Sequence, residues 1–183
     1  MNDVIKAIND RYSCRDFEAT PLTDEQAQML GKAALAAPSA MNLQPWHIIV
    51  ITDKALIEEY DADAMSVLKE QNSEAYKRMG DRGGSIFYNA PCLIIIAKDG
   101  SNYADLDCGI ATQNIALAAH SMGLASVICG MARIPLSGPK AEEWAKRLRI
   151  PKGYSFGMSV CVGTAKAGKT PHELDFAKLE YVK

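Results

Sequence analysis

Four short apolar runs, Trp46 to Thr52, Cys92 to Ala97, Ala125 to Cys129 and Phe156 to Gly163, are separated from one another by segments with helical character. Runs of this length with little polar alternation read as strands buried within a sheet. Such a sheet needs helices over its apolar faces, and the intervening segments supply them. Helices between short buried strands ordinarily suggest parallel βαβ units, an arrangement that composition alone does not exclude.

The helices carry their own punctuation. Residues 3 to 10 read as a short helix. Thr23-Asp-Glu-Gln26 has the capping-box pattern, and Leu30, Ala33, Ala34 and Ala37 form a stripe on the alanine-rich helix that follows and ends at Pro38. Residues 54 to 79 read as helical but polar, with Gly83 and Gly84 breaking the pattern. The helix from Asp105 to Met122 presents Ile110, Leu117, Ala118 and Met122 as its apolar side, and Gly123 is placed to stop it. Pro139 to Leu148 is a further helix. Asp105 and Asp107 suit a helix N-terminus, where negative charge is favoured, better than a pair of catalytic acids.

A chain of 183 residues with 48% hydrophobic content fits one domain spanning 1–183. Its formal net charge of −2 gives no basis for non-specific attraction to nucleic acid or to an acidic membrane surface. The N-terminus has an acidic residue at Asp3 and no apolar stretch, and no window approaches a membrane-spanning length, so a cytoplasmic protein is expected. Cys14, Cys92, Cys108, Cys129 and Cys161 stand singly, which suggests reduced thiols rather than a metal site or a redox dithiol. Cys14 lies between two arginines that would lower its pKa if it were exposed; a filler position in a turn is the alternative. His47, His120 and His172 have no ligand spacing, and no nucleophile–base constellation stands out.

Two motifs remain. In Arg11-Tyr-Ser-Cys-Arg15 an extended backbone sends Arg11, Ser13 and Arg15 to one face over roughly 13 Å. A solvated polar turn has the same composition. Ala37-Pro-Ser-Ala-Met-Asn42-Leu-Gln-Pro-Trp46 closes a helix and opens a strand, with Trp46 leading into the core. Small residues after a helix-ending proline let backbone approach a flat ring, and the Asn42 amide can both donate and accept. Together these motifs resemble the FMN-dependent nitroreductase family in its small, single-domain form, and the order of elements follows that family over nearly the whole chain.

The resemblance implies an α+β fold, a mixed and largely antiparallel sheet flanked by helices, in an intertwined homodimer. The tail Asp175-Phe-Ala-Lys-Leu-Glu-Tyr-Val182 would cross to the partner's sheet, and its alternating apolar residues are compatible with an added edge strand. It implies FMN as cofactor, with cations needed at both the phosphate and the reduced ring. Arg11 would meet the phosphate, Ser13 the phosphate or ribityl end, and Arg15 the N1 and O2 atoms. Pro38, Ser39, Ala40 and Asn42 would come from the other subunit. Gly163, Thr164, Lys166 and Lys169 would form a phosphate cradle, with either lysine as ligand. Gly163 to Thr170 also matches the Walker spacing, but Pro171 follows at once and leaves no room for the long helix such a loop requires. Cys129 and Gly130 would bring a backbone N–H to flavin N5, although the Pro-x-Glu-Gly of other members is missing here. The asparagine and lysine of larger members have no clear counterpart near residues 70 to 85, and Ala62 to Ser85 would be a lid or channel wall.

The implied activity is ping-pong hydride transfer from NADH or NADPH through the flavin to an electron-poor acceptor such as a nitroaromatic or quinone. Alternatives on the same fold are flavin breakdown, dehalogenation, enal or semialdehyde reduction, or a non-catalytic FMN-binding dimer.

Overall fold

The computed structural model describes residues 2–81 and 83–183; Arg82, inside the expected lid, lies outside the described residues. Strands β1 (Trp46–Ile51), β2 (Cys92–Lys98), β3 (Ala125–Ile128) and β4 (Ser155–Gly163) form one sheet in the order β1-β2-β4-β3. Every pairing between them is antiparallel, which rules against the parallel βαβ arrangement. The parallel element of the expected mixed sheet is a lone bridge between Ser13 and Ser126. Hydrophobic periodicity reports burial, not direction, and so left both topologies open.

Among the described residues six α-helices surround the sheet: α1 (Asp3–Asp10), α2 (Asp24–Leu35), α3 (Lys54–Glu70), α4 (Glu74–Gly80), α5 (Ala104–Ser121) and α6 (Ala141–Arg147). Strand β2 explains why helices are needed on both sides. Cys92, Ile94 and Ile96 face a core shared with Leu30 and Ala34 of α2 and Ala111 and Ile115 of α5. Leu93 and Ile95 face the opposite core, with Ile57, Tyr60 and Ala64 of α3 and Trp144 of α6.

Several elements depart from their expected form for local reasons. The helix expected over 54–79 breaks after Glu70, where Asn72 takes a left-handed φ of 45°. Ser73 restarts it, its hydroxyl accepting from the Tyr76 N–H at 3.1 Å and donating to the Leu68 carbonyl at 3.1 Å. On α5 the fully buried stripe runs through Ala104, Cys108, Ala111, Ile115 and Ala119, while Ile110, Leu117, Ala118 and Met122 are only half-buried. This helix is apolar on nearly every side, so its small residues decide which face packs closest. β4 starts at Ser155 and carries a bulge at Gly157, where a Cβ would stand 2.9 Å from the Ile96 carbonyl oxygen.

Candidate functional site

The Arg11–Arg15 segment is fixed by the edge of the sheet. α1 ends at Asp10, Arg11 turns extended, and the Cys14 N–H donates to the Ser126 carbonyl at 3.0 Å. Cys14 is buried, Arg11, Tyr12 and Ser13 are half-buried, and Arg15 is exposed, so burial alone does not set the odd-numbered side chains apart. Burial raises the Cys14 pKa, and that effect exceeds the lowering by Arg15, so the thiol is a core filler. Beyond Arg15 the chain steps around the end of β4. Phe17 pairs with Ala165, and the Glu18 N–H donates to the Thr164 carbonyl at 2.8 Å. Two motifs nearly 150 residues apart in sequence thereby become neighbours.

Between them lies a cavity of about 290 Å³ lined by Arg11, His120, Ser126, Thr164 and Gly168. The two lysines of the cradle are not equivalent beside it. Lys166 pairs with Asp16 at 2.8 Å and lines a different cavity with Phe17, whereas Lys169 is exposed and has no ion-pair partner among the described residues. Gly163 answers to packing, since a Cβ there would stand 2.6 Å from Pro91 Cδ. At Gly168 a Cβ would meet nothing within 4 Å, which leaves the loop open toward the cavity.

The Pro38–Asn42 turn is held by a residue that sequence reading assigned only to a helix end. Asp107, buried in the first turns of α5, accepts the Ala40 N–H through both carboxylate oxygens at 3.2 and 3.3 Å. The Ser39 hydroxyl accepts from the Gln44 N–H at 2.9 Å, and the Asn42 side-chain oxygen accepts from Gln44 Nε2 at 3.1 Å. Met41 and Asn42 sit at φ of 51° and 54°, a left-handed pair in which neither residue is glycine. Pro38 and Asn42 are exposed, Ser39 and Ala40 half-buried.

These two halves of the expected site lie apart within one chain. Asp107 anchors Ala40 near the start of α5, and His120 borders the Arg11 cavity near its end. Thirteen residues of helix separate the two anchors, about 20 Å at 1.5 Å per residue. Along that length α2 packs on α5, with the Asn114 amide donating to the Ala33 carbonyl at 3.1 Å.

A third group of residues follows β3. The Cys129 N–H donates to the Ser159 carbonyl at 2.9 Å, its carbonyl accepts from the Ser159 hydroxyl, and its sulfur reaches the Ile86 carbonyl at 3.5 Å. Its polar atoms are therefore committed inward. Gly130 opens a 3-10 turn, Gly130–Arg133, whose first N–H has no partner within the turn, and a Cβ at Gly130 would meet nothing within 4 Å. The turn is pinned from below by Tyr60, whose buried hydroxyl donates to the Ala132 carbonyl at 2.5 Å. Burial raises the Tyr60 pKa, so it remains a donor. The anchoring roles of Asp107 and Tyr60 escaped sequence reading, because nothing local marks a buried carboxylate or phenol as the anchor of a distant turn; Asp107 does lie in the first turn of α5, as its charge suggested.

Gly130 and Met131 border a cavity of about 1030 Å³. Leu68, Gln71, Ala75 and Arg78 form its wall, so part of the Ala62–Ser85 stretch does face it. The parts suit a ligand with an anionic group at one end and, at the other, a ring that gains negative charge on reduction, as FMN has. Arg11 and Arg15 have no carboxylate partners among the described residues, Gly168 leaves a loop open, and Gly130 offers an amide without a side chain.

Known proteins share this fold. A nitroreductase from Desulfitobacterium hafniense DCB-2, solved with bound FMN, superposes with a TM-score of 0.95 at 44% identity, covering 100% of both chains. An FMN-dependent nitroreductase from Clostridium difficile R20291 gives a TM-score of 0.85 at 32% identity over 99% of each chain. An NADPH-flavin oxidoreductase of Vibrio harveyi is 29% identical over 170 residues, 89% of this chain and 66% of that protein. No helix of the described residues is long and apolar enough to cross a membrane. The family model matches residues 8–164, from the end of α1 to the loop after β4, and with it the chain belongs to the nitroreductase family.

Proposed function

We propose that this chain is an FMN-dependent oxidoreductase taking hydride from NADH or NADPH and delivering it to an electron-poor acceptor such as a nitroaromatic or quinone. It would act as a cytoplasmic homodimer of single-domain subunits, with a flavin site at each end of the subunit interface. The observation that carries the dimeric site is the placement of Arg11 and Ala40 at opposite ends of α5. A second copy would bring its Pro38, Ser39, Ala40 and Asn42 to the Arg11–Arg15 segment of the first. Exposed Val4, Ile5 and Ile8 of α1, together with Met41, Leu43 and Leu106, give such a copy apolar surface to bury. The tail from Asp175 to Val182 is exposed, with Phe176, Tyr181 and Val182 open to solvent, and among the described residues β1 pairs only with β2. That supports the tail's addition to the partner's sheet.

Bound FMN would supply the hydride-carrying N5 atom; the chain supplies binding, orientation and electrostatics. Arg11, Ser13, Thr164 and Lys169 would hold the phosphate, with Lys166 fastened to Asp16 and Gly163 keeping the loop close to Pro91. Arg15 would set positive charge beside the N1 and O2 edge, where negative charge develops on reduction. The Gly130 N–H would orient N5, and Cys129 would hold that turn to the sheet. Donor and acceptor would occupy one pocket in turn, giving ping-pong kinetics.

The test is direct. Purified protein should be yellow, release FMN on denaturation, and oxidise NADH or NADPH when menadione or nitrofurazone is added, with parallel double-reciprocal lines. A colourless protein that fails to bind added FMN would refute this reading.

A further inference from the structure

The cavity beside Gly130 has a charge pattern that the proposed reaction does not require. Arg78 reaches it from α4 and Arg133 from the Gly130–Arg133 turn, and both are exposed. Neither guanidinium has an ion-pair partner among the described residues. Lys98 also lines the cavity, but Asp105 pairs with it at 2.7 Å and cancels its charge. Two uncompensated positive charges thus border one opening in a chain whose formal net charge is −2. The same lining carries the apolar side chains of Ile134, Phe156 and Met158. The space, about 1030 Å³, is of the size that small-molecule sites occupy.

We infer that this pocket selects organic anions: a ligand with a flat apolar body and a carboxylate or phosphate that Arg78 and Arg133 engage. Guanidinium pairs with both groups in forked geometry, which a lysine would not match. The inference rests on the flavin reading only in placing the reacting ring beside Gly130. Two sources carry the same chemistry, a carboxylate on the acceptor and the extra phosphate that distinguishes NADPH from NADH.

Arg78→Gln with Arg133→Gln is the decisive variant, and both positions are surface sites whose replacement leaves the cores intact. Equilibrium binding of benzoate and benzamide to the protein as purified reads the pocket without turnover. Wild type should prefer benzoate, and the double variant should lose roughly 3- to 20-fold of that preference, as expected for two exposed ion pairs. Raising ionic strength should erode the preference in wild type and leave the variant unmoved, which a structural effect would not do. In turnover, kcat/KM ratios for 4-nitrobenzoate over 4-nitrobenzamide and for NADPH over NADH separate the sources. A fall in the first ratio places the acceptor's carboxylate on the arginines; a fall in the second places the donor's phosphate there. If benzoate preference depends on the arginines while no acceptor is reduced, the anion pocket stands and the proposed reaction falls. If wild type shows no preference in binding or in either ratio, or the variant keeps it, the inference is overturned.

Discussion

Lys166 and Lys169 sit three positions apart in one loop, yet their surroundings assign them different work. Lys166 is already paired with Asp16, and that carboxylate raises its pKa, whereas Lys169, beside the open Gly168, has no ion-pair partner among the described residues. A hydrogen bond to a charged group contributes about 1.5–3 kcal/mol, so Lys169→Ala should weaken FMN binding by roughly 10- to 150-fold. Lys166→Ala should weaken it less. Fluorescence titration of FMN into both apoproteins measures the order, and the reverse order would move the phosphate to the Asp16 side. Asp61 gives a second expectation. It accepts the Ile86 N–H at 2.9 Å, yet burial holds its carboxyl above the usual range against that bond and the one to Ser85. A raised folded-state pKa in an acid means stability that is present at low pH and lost as pH rises through the folded value. Asp61→Asn keeps an acceptor for Ile86 and removes the charge. Its Tm should exceed that of wild type at pH 7, with the gap closing as pH falls toward about 4, the ordinary carboxylate range. A gap that does not change with pH would assign the effect to packing.

At the level of elements, what the sequence showed and what it hid divide along a physical line. Caps and breakers act locally, so the Thr23–Gln26 capping box formed as read, and α2 stopped short of Pro38. Strand positions followed from apolar runs, but their direction depends on contacts between strands far apart in sequence. The face of α5 was misread because its apolar residues surround the helix, and the break at Ser73 was missed because a serine in a polar stretch has no distinctive signal. The motifs of the site were legible as motifs; their anchors, Asp107 and Tyr60, were not, since each acts across at least 67 residues of chain. Gly163 shows the same limit from the other side, a glycine read as part of a cradle whose form is set by Pro91 and Phe17. Gly163→Ala would place a methyl group 2.6 Å from Pro91 Cδ and 3.1 Å from Phe17 Cδ1, where both neighbours are ring atoms with little freedom to move. Overpacking of this kind costs about 1–3 kcal/mol. At roughly 2–4 °C per kcal/mol in a domain this size, Tm should fall by several degrees. An unchanged Tm would mean that the end of β4 is softer than its contacts indicate.

For the whole molecule, the question is whether one chain or two build each site. Arg15 lies on the segment beside β3, and Asn42 on the turn that Asp107 holds at the far end of α5. If each flavin takes Arg15 from one chain and Asn42 from the other, homodimers of Arg15→Ala and of Asn42→Ala each carry two damaged sites. Mixing the variants under conditions that exchange subunits changes the count. In a heterodimer one site collects both lesions, while the other receives intact Arg15 from the Asn42→Ala chain and intact Asn42 from the Arg15→Ala chain. Random exchange makes half of the dimers heterodimers, so a quarter of all sites become wild type by the two-fold symmetry of the assembly. Activity should rise toward about one quarter of the wild-type value as exchange proceeds, above the mean of the two parents. If both residues served a flavin within their own chain, every site in the mixture would still carry one lesion. The mixture would then stay at the parental mean however long the subunits exchanged, and the inter-subunit site would be excluded even with FMN bound.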